Sequence, residues 1–337
     1  MINEVYKKLP QKKSAFLTGI TGQDGAYLAR LLLGKDYRVI GTTHSETIDN
    51  LKYLGIDKEI ELEKVNLTDR DKLFQIIKKL KPEEVYHLGG MTAPGDSWDQ
   101  VDTYTHVNVD GTLYLLEAIR NLSCHSRFFN AATSEMFGNN HEKGWQTEET
   151  PFHPTNPYAV TKIYSYWMTN IYRDSFKMFC SNGILFSHES PLRAKHFVTR
   201  KISDGIAKIK LGLADKITLG NIESKRDWGF AGDYVEAIWL MLQQNEPDNF
   251  IISSGEVHSI KEFLKLAFEH VGISNWESYI EIDKRFFRPL DLTHLYGHSG
   301  KAKKILGWKA KTSFEDIVKM MVDSDLKYYQ KDQEEEI

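Results

Sequence analysis

The stretch Ser14-Ala-Phe-Leu-Thr-Gly19-Ile-Thr-Gly22-Gln-Asp-Gly25-Ala-Tyr-Leu-Ala-Arg-Leu-Leu-Leu33 joins a short apolar run to a helical pattern through three evenly spaced glycines. Glycines at such a junction allow a tight turn, close approach of a pyrophosphate to the backbone, and close packing of helix on strand. The helix N-terminus then offers unpaired N–H groups and a partial positive charge to the anion. A glycine pattern alone is weak evidence. One that follows a strand, opens a helix and begins a βαβ series carries more weight. The stretch reads as a dinucleotide-binding turn.

Downstream the chain keeps the alternation. Strands are predicted at 37–41, 60–65, 84–88, 127–132 and 183–186, and helices at 69–80, 103–120 and 156–176. Strands alternating with helices at this spacing indicate βαβ units and a parallel sheet. Beyond residue 180 the pattern loosens, with helices predicted at 197–211, 233–243, 258–271 and 313–329 and short strands at 217–219 and 250–252. The expected fold is α/β: a Rossmann-like, doubly wound parallel sheet over 13–186, which binds NAD(P) and carries the catalytic residues. A smaller mixed α/β region over 187–330 is expected to bind substrate, with some segments returning to the sheet. The cleft between the two is a common place for a ligand. Residues 1–12 and the charged end from Lys331 are expected to be loosely held.

Composition narrows the function. A formal charge of −4 gives no support for a nucleic-acid or anionic-membrane partner. No apolar run approaches the roughly 20 residues of a membrane span, and the first residues lack the apolar core of a signal peptide. Cys124 and Cys180 are too few and too far apart for a metal site or a disulfide framework. They read as free thiols in a reducing compartment. A soluble, cytoplasmic protein without a metal is expected.

The chemistry concentrates in two segments. Asn130-Ala-Ala-Thr133-Ser134-Glu135 places two hydroxyls and a carboxylate at the end of a predicted strand. Tyr158-Ala-Val-Thr-Lys162 places a phenol and an ammonium four residues apart on a predicted helix, so both side chains share one face. A neighbouring cation stabilises phenolate and should ease its formation. Three proton-handling groups beside such a pair point to more than one chemical step.

With these motifs in hand, the chain resembles the GDP-mannose 4,6-dehydratase family of the extended short-chain dehydrogenase/reductase superfamily. The resemblance runs from about residue 14 to 325. It is carried by the glycine turn, by Pro151-Phe-His-Pro-Thr-Asn-Pro-Tyr-Ala-Val-Thr-Lys162, by Gly183-Ile-Leu-Phe-Ser-His-Glu-Ser-Pro191, by Lys225-Arg-Asp-Trp-Gly229 and by Phe287-Arg-Pro289. It implies transient oxidation at C4 of a GDP-sugar, loss of water across C5–C6, and return of the hydride to C6, with tightly bound NADP or NAD regenerated each turnover. By the resemblance, Tyr158 takes the C4 hydroxyl proton, Lys162 assists it and holds the nicotinamide ribose, and Glu135 is the base at C5. Thr133 bonds the C4 oxygen and Ser134 positions the acid/base group. The cofactor is assigned to Gly19, Thr21, Gly22, Gln23, Asp24, Gly25, Asn66, Leu67, Leu88, Gly89, His188 and Arg193 together with Tyr158 and Lys162. The GDP-sugar is assigned to Ser187, Val198, Lys201, Arg226, Arg288 and Asp291. Members commonly pair through two helices per subunit, here 103–120 and 156–176, which implies a homodimer or homotetramer.

The chain also departs from the family pattern. Thr42-Thr-His-Ser-Glu-Thr-Ile-Asp49 replaces an arginine-rich stretch, and the second strand ends without the acid that would bind an NAD ribose. Thr43, His44 and Ser45 could bond a phosphate, as any polar loop could. The run 87–97 differs from the usual one and should border the nicotinamide and the sugar. Ser187 replaces an asparagine and Leu192 an arginine. These departures leave NAD against NADP open and widen the expected substrate from GDP-mannose to a related GDP-hexose or GDP-heptose. The nearest alternative is a reductase or epimerase of GDP-4-keto-6-deoxy sugars, but a reductase has no use for Glu135 as a C5 base. A non-catalytic dinucleotide-binding regulator would not need Tyr158, Lys162 and Glu135 together.

Overall fold

The computed structural model describes residues 12–335 apart from 45, 140–143, 288–291 and 293–294. In it the first apolar run is the strand Ser14–Thr18 (β1), with Ala15, Phe16 and Leu17 fully buried. Burial on both faces is why a central parallel strand reads as a continuous apolar run. The further strands are Arg38–Thr43 (β2), Glu61–Lys64 (β3), Glu84–His87 (β4), Arg127–Thr133 (β5), Cys180–Leu185 (β6), Ser187–Glu189 (β7), Ile217–Leu219 (β8), Lys225–Phe230 (β9), Asn249–Ile252 (β10), Val257–Ser259 (β11) and Ile280–Ile282 (β12). Seven of them form one sheet in the order β3-β2-β1-β4-β5-β6-β10, every neighbouring pair parallel. The order reverses between β1 and β4, and open α/β sheets bind ligands beyond the strand ends at such a point.

The helices are Gln23–Gly34 (α1), Asp49–Tyr53 (α2), Arg70–Leu80 (α3), Val101–Thr105 (α4), Gly111–Leu122 (α5), Pro157–Phe176 (α6), Val198–Lys210 (α7), Ala231–Met241 (α8), Ile260–His270 (α9), Gly300–Leu306 (α10) and Phe314–Glu335 (α11). Alternate residues of β1 serve opposite faces. Ala15 and Leu17 pack with Leu28 and Leu32 of α1 and Val235 and Ile238 of α8. Phe16 packs with Ile77 of α3 and Leu115 and Ile119 of α5. A second core joins α7, α9 and α11 through Ile202, Ile206, Phe263, Phe268, Ile317 and Met321. It sits beside the small sheet β11-β9-β7 and the pair β12-β8. β10 and α8 belong to the large sheet and its cover, so the chain crosses back after residue 230.

Several expectations need correction. The helix expected at 103–120 runs from Val101 to Leu122, with a wider π turn at His106–Asp110 between α4 and α5. The segment 258–271 opens as β11, and α9 starts only at Ile260, behind a capping box made by Ser259 and Glu262. The chain end does not fray at 331. α11 continues to Glu335, because the segment holds no Gly or Pro and Tyr329 ties the helix to Asp204 of α7 by a 2.6 Å hydrogen bond. The rest of the two loosely held ends, residues 1–11 and 336–337, lies outside the described residues. Among the described residues no helix is long and apolar enough to cross a membrane, and no His/Cys/Asp/Glu group is arranged to hold a metal ion.

Candidate active site

β1 delivers the chain into the glycine turn, and the turn is packed against the end of β4. Gly19 has φ +69°, and a Cβ there would lie 2.7 Å from the Gly89 Cα. A Cβ on Gly25 would lie 2.3 Å from the Gly19 carbonyl oxygen. Gly22 precedes α1 and offers no capping side chain, so the first N–H groups of the helix are left to the cleft. This is a backbone cradle for an anionic group, and it fits the pyrophosphate of a dinucleotide.

Beside the cradle the buried polar groups are paired. The Asp24 carboxylate lies 2.9 Å from Nε2 of His188, whose Nδ1 lies 2.7 Å from the Phe186 carbonyl. Nδ1 therefore donates to that carbonyl, and the protonated ring donates to Asp24 from Nε2 as well. Burial alone would lower the His188 pKa, but the Asp24 charge and hydrogen bond raise it overall. Asp24 in turn is held below the usual carboxylate range, its burial outweighed by His188, Arg193 and Gln23. Arg193 pairs with buried Glu189 at 3.2 Å and lies 3.6 Å over the Phe197 ring. Gln23 donates to the His188 carbonyl at 3.0 Å and accepts from Ser190 at 2.7 Å, locking the turn to the strand that follows β6.

The catalytic segments meet on the far side of the cradle. Asn156 caps α6 by accepting the Ala159 N–H at 2.8 Å, and Pro157 at the first helical position fixes the entry. The capped first turn presents Tyr158 and Lys162 to the cleft. Lys162 Nζ donates to the Ala131 carbonyl at 2.9 Å and stands 6.0 Å from the centre of the Tyr158 ring. Burial pushes Lys162 down to about 8. Burial also pushes the Tyr158 phenol well above the usual tyrosine range. A hydrogen bond with Thr133 and the charge of Arg193 oppose this, and the charge of Glu135 adds to it. Burial, and not the easing expected from Lys162, dominates the phenol. Thr133 ends β5 and accepts the Glu135 N–H at 3.3 Å, and buried Ser134 opens the turn that carries Glu135. Asn156 Nδ2 donates to Glu135 Oε2 at 2.9 Å.

One cleft of about 2150 Å³ is lined by the glycine turn, Asp24, His188, Arg193, Thr133, Ser134, Glu135, Tyr158 and Lys162. Asn66 and Leu67 after β3, and Leu88 and Gly89 after β4, line the same cleft. Ser187, Val198, Lys201 and Arg226 line it too. Lys201 lies 4.4 Å over the Phe286 ring, and Arg226 donates to the Lys225 and Leu292 carbonyls at 2.7 and 2.6 Å. Arg288 and Asp291 lie outside the described residues, as does Ser45. The structure thus brings together every described residue that the sequence assigned to the site.

Four further residues shape the site. Asn108, in the π turn, accepts the Met91 N–H at 2.9 Å and donates to the Met91 carbonyl at 3.1 Å and to Thr161 at 3.0 Å. Tyr104 donates to the Ala93 carbonyl at 2.7 Å and packs edge-on against Tyr158. Together they pin the 89–97 loop, whose sequence departs from the family pattern, beside Tyr158. Below it, His87 joins Thr18 at 2.9 Å and Thr112 at 3.0 Å, and burial pushes it down to about 3. The fourth is Asn156. Its signal was present in the sequence, since Asn-Pro ahead of a helix is a capping signature. A polar Asn108 on the core stripe of a helix was the trace of the loop clamp.

Comparison with known proteins bears on family and fold. A sequence profile described as GDP-mannose 4,6 dehydratase matches residues 16–321. GDP-mannose 4,6 dehydratase 2 of Arabidopsis thaliana is 45% identical over 328 residues, which cover 94% of this chain and 87% of that one. GDP-mannose 4,6 dehydratase of Dictyostelium discoideum is 42% identical over 346 residues, covering 94% and 97%. In fold, the chain is similar to Thermus thermophilus UDP-glucose 4-epimerase in complex with NAD, with TM-score 0.83 and 23% identity over 93% of this chain and 98% of that one.

Proposed function

This chain belongs to the GDP-mannose 4,6-dehydratase family of hydro-lyases, and we propose that it dehydrates GDP-mannose, or a closely related GDP-sugar, with Tyr158 and Glu135 dividing the proton transfers. The observation that carries the reading is their juxtaposition. Tyr158, Thr133 and Glu135 line one cleft that opens onto the glycine cradle, and Thr133 and Glu135 both lie close enough to act on the phenol. Bound there, the nicotinamide supplies a hydride acceptor for C4 and later a hydride donor for C6, and its positive charge when oxidised favours phenolate.

Tyr158 accepts the C4 hydroxyl proton as C4 becomes a ketone, with Thr133 bonded to the same oxygen. The ketone acidifies C5–H, and Glu135 removes that proton. Glu135 then protonates the C6 oxygen, which leaves as water. As C6 receives hydride, C5 takes a proton from solvent and Tyr158 releases to solvent the one it took from the C4 hydroxyl, so the protons balance. One carboxylate first accepts and later donates, as a general acid–base near neutral pH can. Lys162 carries the charge beside Tyr158 and holds the ribose. Lys201 and Arg226 suit the diphosphate, and the pinned 89–97 loop borders the sugar.

We also assign the exposed row Val160, Trp167 and Ile171 of α6, spaced one and two helical turns apart and 48–55% accessible, to a homo-oligomer contact. Two free cysteines accord with the cytoplasm.

The test is turnover in deuterated water. The product should carry deuterium at C5, and Glu135→Gln should greatly slow water loss while C4 oxidation persists in part. If Glu135→Gln loses water at the wild-type rate, the assignment of the base is wrong. A panel of GDP-, UDP- and dTDP-sugars would overturn the GDP assignment if a non-GDP sugar were turned over best.

A further inference from the structure

Asn156 stands behind the cleft wall, between the two catalytic segments. Its carboxamide oxygen accepts the Ala159 N–H at 2.8 Å, and its Nδ2 donates to Glu135 Oε2 at 2.9 Å. Only this orientation of the amide satisfies both neighbours, since the reverse would face the oxygen to a carboxylate and the NH₂ to an N–H. The amide is planar, so the direction of one bond constrains the other. The Glu135 backbone is separately held by Thr133, whose Oγ1 accepts its N–H at 3.3 Å. The carboxylate is therefore fixed at both ends, with Oε1 left to receive a proton.

We propose that Asn156 is a positioning residue for proton abstraction at C5. It aims Glu135 and ties that carboxylate to the first turn of the helix that carries Tyr158 and Lys162. The proposal rests on the reading of Glu135 as the base. The need follows from the reaction: one carboxylate must serve C5 and then the C6 oxygen without leaving reach of either, and an unheld glutamate has three free rotors. A hydrogen bond to a charged group has a magnitude that translates into about a 10- to 100-fold effect on the step it serves.

Two variants separate this role from helix capping. Asn156→Asp keeps a capping oxygen but turns the donor into an anion facing Glu135, and Asn156→Ser keeps a cap without the reach or the charge. Both residues are good N-caps. Both variants should melt near the wild-type temperature, lose about 10- to 100-fold in kcat, and change KM by no more than about 2-fold. The isotope effect with C5-deuterated substrate should rise and that with C4-deuterated substrate should fall, because C5–H cleavage becomes limiting. Wild-type isotope effects in both variants would overturn the role, as would a loss carried by KM. Glu135→Gln is measured beside them. If it leaves C5 exchange intact, the underlying assignment of the base has failed. If it abolishes exchange while the Asn156 variants behave as wild type, only the positioning role has failed.

Discussion

Gly25→Ala tests the link between the glycine turn and both stability and cofactor binding. Gly25 lies in the first turn of α1, and a Cβ there would sit 2.3 Å from the Gly19 oxygen, 2.6 Å from Ile20 Cα and 2.9 Å from the Ile20 carbonyl carbon. All three are backbone atoms of the turn, so no side chain can rotate away, and the turn must retreat by about 1 Å. Overpacking of this kind costs about 1–3 kcal/mol, here toward the upper end. The better helix propensity of alanine offsets about 0.5–1 kcal/mol of it, leaving about 1–2 kcal/mol of net destabilisation. At the usual unfolding entropy per residue this lowers the melting temperature of a 337-residue chain by about 1–3 °C. Gly34, at the other end of the same helix, has nothing within 4 Å of its would-be Cβ. Gly34→Ala should therefore move the melting temperature the other way, by up to about 1 °C. The assay is thermal unfolding of nucleotide-stripped protein, followed by titration with NAD and NADP. A ligand present at 100 times its Kd adds about 2.7 kcal/mol of stability, and a 100-fold loss of affinity would leave about 0.4. Two results would refute the reasoning: Gly25→Ala keeping the full ligand-induced rise, or both substitutions shifting the melting temperature in the same direction.

Three other outcomes are expected. Burial sets Lys162 near 8, so its charge is lost as pH rises through that value, and kcat/KM should fall there; a profile flat to pH 10 would be inconsistent with it. For the Asp24–His188 pair, the raised His188 pKa gives stability that is fully present below about 6.5 and lost as pH climbs through the folded value. The lowered Asp24 pKa gives stability that is present above about 3.8 and lost in acid. Asp24→Asn should thus cost more at pH 5.5 than at pH 9, by up to about 3 kcal/mol at the lower value; equal shifts of the urea midpoint at the two pH values would count against the pair. Trp167→Glu places a charge in the exposed α6 row and should reduce the mass seen by light scattering to that of one chain, and an unchanged mass would exclude this face as the contact.

The large sheet could be read from the sequence because its strands are buried on both faces and show as apolar runs between glycines and helices. β7 and β9 could not. Ser187–Glu189 and Lys225–Phe230 are short and partly polar, and they become strands only through distant pairing, β7 with the end of β9 and the start of β9 with β11. The candidate pair was legible because Tyr158 and Lys162 carry their geometry in their spacing. Their electrostatics were not. Spacing placed a cation near a phenol, but the depth of burial decided which effect dominates, and burial is a tertiary property. The clamp on the 89–97 loop was hidden for the same reason: which polar residue of the 101–122 helix reaches Met91 depends on the π turn.

That clamp also answers a question the buried pair raises. Holding Lys162 charged where burial sets its pKa near 8 costs the fold about 3 kcal/mol at neutral pH. A second charge close by would add to the cost, and His87 is the group placed to carry one. Its hydrogen bonds determine otherwise. Thr18 Oγ1 accepts the Gly89 N–H at 3.0 Å, so its hydroxyl proton goes to His87 Nδ1. Thr112 gives its proton to the Asn108 carbonyl at 2.7 Å, so it must accept from His87 Nε2. Every partner is satisfied by a neutral imidazole and by one tautomer alone. Burial and the charge of Lys162 act in the same direction on the ring. The same relay runs from the glycine turn through β4 to the π turn that holds Met91. The groups that hold the glycine turn, keep His87 uncharged near Lys162 and pin the loop at Met91 are therefore one continuous set of hydrogen bonds, and a change at Thr18 or Thr112 should be felt at all three.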